Sequence, residues 1–208
     1  MYRITEILPT SSGDRLLLRL LSSDGEAVTV NISCKTYGEM GLKKGELSDE
    51  TASSLMNAAE HEKAVIKGLS ILGYGMNSQR RLCQKLREKG FSSKVAEGAA
   101  EYLTQKGYVD ESRDALRLCE SMIKKGYGRK RILSSLRAKG YGDDAMHVAD
   151  EMLSEVDFVP VCVRVIKSKF RVLPESREDV QKAIAKLSAL GYNIGEIKSA
   201  LQSVKSDL

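Results

Sequence analysis

Ser78-Gln-Arg-Arg-Leu-Cys-Gln-Lys-Leu-Arg-Glu-Lys-Gly-Phe91 and Gly128-Arg-Lys-Arg-Ile-Leu-Ser-Ser-Leu-Arg-Ala-Lys-Gly-Tyr141 are one pattern written twice, 50 residues apart and without a gap. Arg81/Arg131, Leu86/Leu136, Arg87/Arg137, Lys89/Lys139 and Gly90/Gly140 are identical, and Leu82/Ile132 and Phe91/Tyr141 are similar. A third copy, 51 residues on, keeps Ala183, Leu187, Gly191 and Tyr192 but not the arginines. Self-similarity at such a period is the signature of a repeat architecture. Each copy carries apolar residues at i and i+4, one face of a helix. Lys then Gly closes it: the cation suits the last turn, and glycine accepts the left-handed backbone of a C-cap. The aromatic that follows can fold back on the final turn. Six of the eleven aromatic residues, Tyr74, Phe91, Tyr108, Tyr127, Tyr141 and Tyr192, directly follow a glycine. This makes them packing residues at helix ends rather than stacking platforms for bases.

Outward from these stretches the pattern stays helical. Ser92 opens a new helix with Val95, Ala96, Ala99, Ala100 and Leu103; Asn193 opens another, with Glu196 three residues on as a capping box. A helix also precedes each repeated one, over 60–72, 113–125 and 158–170. The predicted fold class is mainly α: a tandem array of three three-helix repeats of about 50 residues each, with a small N-terminal antiparallel β segment. One such unit buries little alone, so the units should stack on a continuous core. The expected divisions are 1–47 for the β-rich segment, 48–110 for a linker helix and the first repeat, 111–157 for the middle repeat and 158–208 for the third.

Before the repeats the periodicity is two. Residues 2–8, 15–21 and 27–32 alternate as strands, separated by turn chemistry at Ser11-Ser12-Gly13-Asp14 and Ser22-Ser23-Asp24-Gly25. Residues 41–45 read as one more turn, giving a sheet of about three strands that packs on the next helix. Ser48 starts a helix, with Asp49 and Glu50 at its positive end. Further on, Val65, Ile66, Leu69 and Leu72 fall at the spacing of a core-facing stripe, and Gly73 ends it.

Composition sets the function classes. The 208 residues are 42% hydrophobic, enough for a core. No apolar run reaches the ~18 residues of a membrane span, and the N-terminus lacks a secretory core, so a soluble cytoplasmic protein without membrane contact is expected. Cys34, Cys83, Cys119 and Cys162 include no close pair, and His61 and His147 are isolated, so no metal site or other cofactor is expected and the thiols read as reduced and mostly buried. Gly73-Tyr-Gly75 and Gly126-Tyr-Gly128 lie in no phosphate-loop frame and read as turns. The pairs Asp143-Asp144 and Glu178-Asp179 suit helix starts. Nothing here supports an enzyme.

Charge is uneven. Residues 1–59 have six Lys/Arg against eight acids, whereas residues 78–142 have 16 against seven. Such asymmetry points to an anionic partner, nucleic acid or an acidic protein surface. The candidate partner-binding or anion-binding residues are Arg80, Arg81, Lys85, Arg87 and Lys89 in the first repeat. In the middle repeat they are Lys124, Lys125, Arg129, Lys130, Arg131, Arg137 and Lys139. Three consecutive cations cannot share one helical face, so part of this charge is ordinary solvated surface. Arg81 and Arg131 precede an apolar anchor and can instead snorkel over the core. A helix-turn-helix reader is the other alternative, disfavoured by three quasi-equivalent units of divergent charge.

Residues 78–91, Gly107-Tyr-Val-Asp-Glu-Ser-Arg-Asp-Ala115, and Gly126-Tyr-Gly-Arg-Lys-Arg-Ile132 through Leu136 to Gly140-Tyr141 together resemble the RecX family, bacterial regulators of the RecA recombinase. The resemblance spans about residues 1–205, including a β-rich N-terminal extension found in some members. Arg81 and Ser135 stand where the family often has an acidic residue. The resemblance implies a non-enzymatic, cytoplasmic, monomeric protein with a curved helical array. It would lie in the groove of the RecA–DNA filament and block recombinase and ATPase activity in recombination, DNA repair and the SOS response. Some members also touch single- or double-stranded DNA. The alternative reading is a sequence-tolerant DNA-binding helical-repeat module using the same cations on phosphates.

Overall fold

The computed structural model describes residues 1–170, 174 and 176–206. The N-terminal strands are β1 (Tyr2–Pro9), β2 (Arg15–Ser22) and β3 (Ala27–Ser33), then helix α1 (Cys34–Glu39) and a fourth strand, β4 (Gly45–Leu47). The sheet is antiparallel in the order β3-β2-β1-β4. Its register sets Ile4 beside Leu20 and Leu18 beside Val30, with an irregularity between Ile4 and Glu6. One face buries Ile4, Leu18, Leu20, Val30 and Ile32 together with Leu47, Ala52 and Leu55.

Two features of this segment correct the sequence reading. The strands number four, because the chain leaves the expected 41–45 turn as β4 and pairs Tyr2 with Leu47. Helix α1 was not foreseen. Its N-cap Ser33 accepts the Thr36 N–H, while Glu62, far along the chain, accepts from the Ser33 N–H and both hydroxyls. Burial works against the Glu62 carboxylate, yet the Thr36 and Ser33 hydrogen bonds and Arg15 at 2.8 Å hold it below the usual range.

The remaining helices are α2 (Asp49–Leu72), α3 (Gln79–Glu88), α4 (Ser93–Gln105), α5 (Glu111–Lys124), α6 (Arg129–Ala138), α7 (Asp143–Ser154), α8 (Phe158–Lys169), α9 (Arg177–Ala189) and α10 (Ile194–Ser206). The chain forms two compact units: residues 1–75 with 82–108, and residues 76–81 with 109–208. In the first unit α2 packs on α4. Gly68 permits it: a Cβ there would lie 2.5 Å from a Leu103 methyl. In the second unit α5 packs on α7 and α8 on α10 over a core that includes Cys119, Ile132, Leu136, Leu153, Phe158, Cys162, Leu187 and Tyr192. Residues 171–173, 175 and 207–208 of the expected third repeat lie outside the described residues.

The glycine–aromatic pairs end helices by one shared bond. The N–H of Phe91, Tyr108, Tyr127, Tyr141 and Tyr192 each returns to the carbonyl five residues back, at 2.9 to 3.3 Å. The preceding glycine makes this possible, with φ of +93° at Gly90, +75° at Gly140 and +99° at Gly191. Tyr141 and Tyr192 are buried as expected, but Tyr74 and Tyr108 are 93% and 57% exposed and pack little. The α2 stripe departs likewise: Ile66 and Leu69 face solvent, because α2 turns Ala64 and Gly68 to its neighbours. Three of the four thiols are buried, and Cys34 is exposed. Burial pushes Cys119 and Cys162 up to about 11, so both stay protonated at neutral pH.

Candidate binding surface

Opposite ends of different helices meet in the second unit. Where α9 ends and α6 begins, the Gly128 N–H donates to the Leu190 carbonyl at 2.9 Å and the Lys130 N–H to the Gly191 carbonyl at 3.2 Å. The Tyr192 hydroxyl donates to the Gly126 carbonyl at 2.8 Å. Helix starts have spare N–H groups and helix ends have spare carbonyls, so this arrangement satisfies both. The approach is backbone to backbone: a Cβ on Gly128 would lie 2.5 Å from the Gly191 carbonyl carbon.

The first turn of α3 meets the end of α6 in a similar way. Ser78, buried, accepts the Arg81 N–H and donates its hydroxyl to the Lys139 carbonyl at 2.7 Å. The stem of Arg80 lies against Gly140, with its Cδ 3.0 Å from where a Cβ would sit. This places Arg80 and Arg81 at the same turn as Lys139. Glu111 completes the junction by accepting the Gln79 and Gly142 N–H groups, both at 2.7 Å. Asp114 is buried close by and burial raises its pKa; burial, followed by the Asp114 and Glu111 charges, pushes Tyr141 up to about 12.

The candidate cations fall into distinct settings. Arg80 and Arg81 belong to the second unit, whereas Lys85, Arg87 and Lys89 belong to the first. Lys85 is half-buried, and Arg87 and Lys89 are exposed. In the second unit Lys124, Lys125, Lys130, Arg131, Arg137 and Lys139 are exposed, and among the described residues their side chains make no ion pair. Arg129 differs: its guanidinium is half-buried and bound to Asp150 at 2.9 Å.

The helix dipole separates these residues further. Lys85, Arg87, Lys124 and Arg137 lie in last turns, where a cation stabilises the helix by itself. Arg80, Arg81, Lys130 and Arg131 lie exposed in first turns that contain no acid, where each cation costs about 0.3–1 kcal/mol, whereas Arg129 in the same turn of α6 is paired with Asp150. Helix α9 follows the ordinary rule, with Glu178 and Asp179 in its first turn. Arg129 apart, the first-turn cations of α3 and α6 therefore oppose the dipoles of their own helices.

Sequence reasoning missed Glu111 and Arg164. The Arg164 guanidinium donates to the Ile123 and Lys124 carbonyls at 2.9 and 3.4 Å, closing the end of α5 from α8. Both act on backbone groups more than 30 residues away, which no local spacing announces.

A regulatory protein RecX from Pelodictyon phaeoclathratiforme is 32% identical to the chain over 142 residues, 67% of this chain and 87% of that protein. The chain belongs to the RecX family. A RecX from Clostridium acetobutylicum is 28% identical over 80% of this chain and 81% of its own. A crystal structure of a regulatory protein RecX superposes with a TM-score of 0.79 at 20% identity, over 96% of this chain and 98% of that one. The crystal structure of RecX from Lactobacillus salivarius gives a TM-score of 0.61 at 18% identity, over 70% and 97%. No family model matches the chain. The RecX fold is thus mainly helical with a small N-terminal antiparallel sheet, as expected, and the curated relatives are named regulatory proteins. No helix among the described residues is long and apolar enough to cross a membrane.

Proposed function

We propose that this RecX protein is a non-enzymatic, cytoplasmic, monomeric regulator. It binds the RecA–DNA filament and restrains recombinase and ATPase activity in recombination, repair and the SOS response. The observation that carries this reading is the set of exposed first-turn cations Arg80, Arg81, Lys130 and Arg131, kept at a cost to the dipoles of α3 and α6. A surface that is unfavourable for the fold and presented to solvent is best explained by what it binds.

The same reading takes the helices as three units, α2–α4, α5–α7 and α8–α10, after a β-rich segment over 1–47. The divisions are 48–110, 111–157 and 158–208. Three features support it: the packing of first on third helix in each unit, the same terminating bond in α3, α6 and α9, and the end-to-end junctions. The third unit, whose repeated helix α9 carries Glu178 and Asp179 in its first turn where α3 and α6 carry no acid, acts as the terminal cap.

The test is co-sedimentation with RecA filaments on single-stranded DNA, with DNA-dependent ATP hydrolysis measured in parallel. Binding at micromolar protein with slowed hydrolysis is expected; absence of both overturns the proposal. Direct DNA binding is a second reading, favoured by exposed Lys124, Lys125, Lys130, Arg131, Arg137 and Lys139, whose side chains make no ion pair among the described residues. It requires an affinity for naked DNA that falls steeply with salt, with a log–log slope of about one per phosphate contacted.

A further inference from the structure

We propose that Glu111 is a positioning residue: it holds Arg80 and Arg81 of the α3 first turn against the α6–α7 turn, so that these cations reach a partner together with Lys139. The proposal rests on the binding reading above.

Glu111 is the first residue of α5, yet that helix does not need it. Asp110 is the N-cap, and its side chain accepts the Arg113 N–H. The two oxygens of Glu111 are committed elsewhere, one to the Gln79 N–H and one to the Gly142 N–H, across 32 and 31 residues. These are the first residue of α3 and the N-cap of α7. A carboxylate is suited to this, because it accepts at both oxygens and its charge sits at two positive helix ends.

The end of the chain shows what the arrangement replaces. Helix α10 caps itself: the Asn193 side chain accepts the Glu196 N–H and the Glu196 side chain accepts the Asn193 N–H. Before α7 the place of Glu196 is taken by Ala145, which has no carboxylate to return to the Gly142 N–H. Glu111 accepts that N–H in its stead, and its second oxygen is bound to α3. The single anion also offsets part of the cost of placing Arg80 and Arg81 in a first turn. With Ser78 tied to the Lys139 carbonyl and the Arg80 stem on Gly140, the α3 cations are held in one place on the α6–α7 turn.

The test is a double-mutant cycle. Glu111→Ala is made in the native chain and in an Arg80→Ala/Arg81→Ala chain, and affinity for RecA filaments on single-stranded DNA is measured for all four proteins. Backbone amide exchange at Gln79 and Gly142 and the thermal midpoint are followed alongside. Glu111→Gln, which keeps one acceptor oxygen, stands in if the alanine variant does not fold. The expected result is about a tenfold loss of affinity in the native chain and no further loss in the arginine-free chain, with faster exchange at both amides. An equal loss in both chains overturns the proposal and makes Glu111 general scaffold, as does unchanged affinity despite faster exchange. If Arg80→Ala/Arg81→Ala by itself leaves binding intact, what fails is the binding role of those arginines. Amide exchange still reports whether the latch exists.

Discussion

Replacing Gly128 with alanine isolates the junction between α9 and α6. The backbone at Gly128, φ −84° and ψ 166°, is open to any residue, so alanine meets no conformational penalty. Reducing the freedom of the unfolded chain even favours the variant by about 0.4–1 kcal/mol. Against this, the new methyl would lie 2.5 Å from the Gly191 carbonyl carbon and 2.6 Å from both its oxygen and the Tyr192 nitrogen. These are at least about 1 Å short of an ordinary contact, and all three atoms are backbone, so no rotamer relieves the overlap. The start of α6 must move, at about 1–3 kcal/mol for the overpacking. The move stretches the Gly128–Leu190 and Lys130–Gly191 bonds, worth about 1 kcal/mol each. The net is about 3 kcal/mol, and at about 2–4 °C per kcal/mol for a chain of this size the thermal midpoint should fall by about 10 °C. Thermal melting followed by far-ultraviolet circular dichroism measures it. Gly38→Ala is the control, because nothing lies within 4 Å of its Cβ; it should leave the midpoint level or slightly raised. A Gly128→Ala midpoint equal to the native one would refute the close-contact argument.

Other outcomes follow from two carboxylates. Asp114 is raised above its ordinary 3.8, first by burial and then by Asp110 and Glu111, with Arg113 and Arg117 acting the other way. The folded state therefore holds its proton more tightly, and this group costs stability as pH rises above that value. Asp114→Asn should melt higher than the native protein at neutral pH, with the advantage closing in acid. Glu62 is the opposite case: it is held below its ordinary 4.5, so its contribution is present at neutral pH and lost as pH falls through the lowered value. Glu62→Gln should cost about 2 kcal/mol at neutral pH, the scale of hydrogen bonds to a charged group, and the difference from native should vanish in acid. Urea titrations at neutral and acidic pH read both.

Local signals made most of the helices legible from sequence. Leu82 with Leu86 and Ile132 with Leu136 marked the buried faces, and Gly90, Gly140 and Gly191 marked the ends, because amphipathic spacing and left-handed caps are written in adjacent residues. What sequence missed depends on distant partners. Strand β4 exists through Tyr2, helix α1 is steadied by Glu62, and the starts of α3 and α7 are joined by Glu111. Ile66 and Leu69 misled because their spacing suits a core stripe, whereas α2 makes its close approach through Gly68. The candidate cations were visible as a list. Their sorting was not: Arg129 is engaged by Asp150 across 21 residues, which leaves Lys130 and Arg131 as the exposed pair at the start of α6.

That pair gives the most direct test of a surface kept for binding rather than for folding. Lys130→Glu/Arg131→Glu, with Arg129 left in place, puts acids at the positive end of α6, which should stabilise the helix by about 0.3–1 kcal/mol per residue. The measurement is affinity for RecA filaments together with the thermal midpoint of the same protein. The expected result is binding weakened at least about tenfold, as like charges meet an acidic partner, with a midpoint unchanged or higher. Native affinity in this variant, or a loss of binding accompanied by a lowered midpoint, would contradict the assignment of these cations to the binding surface.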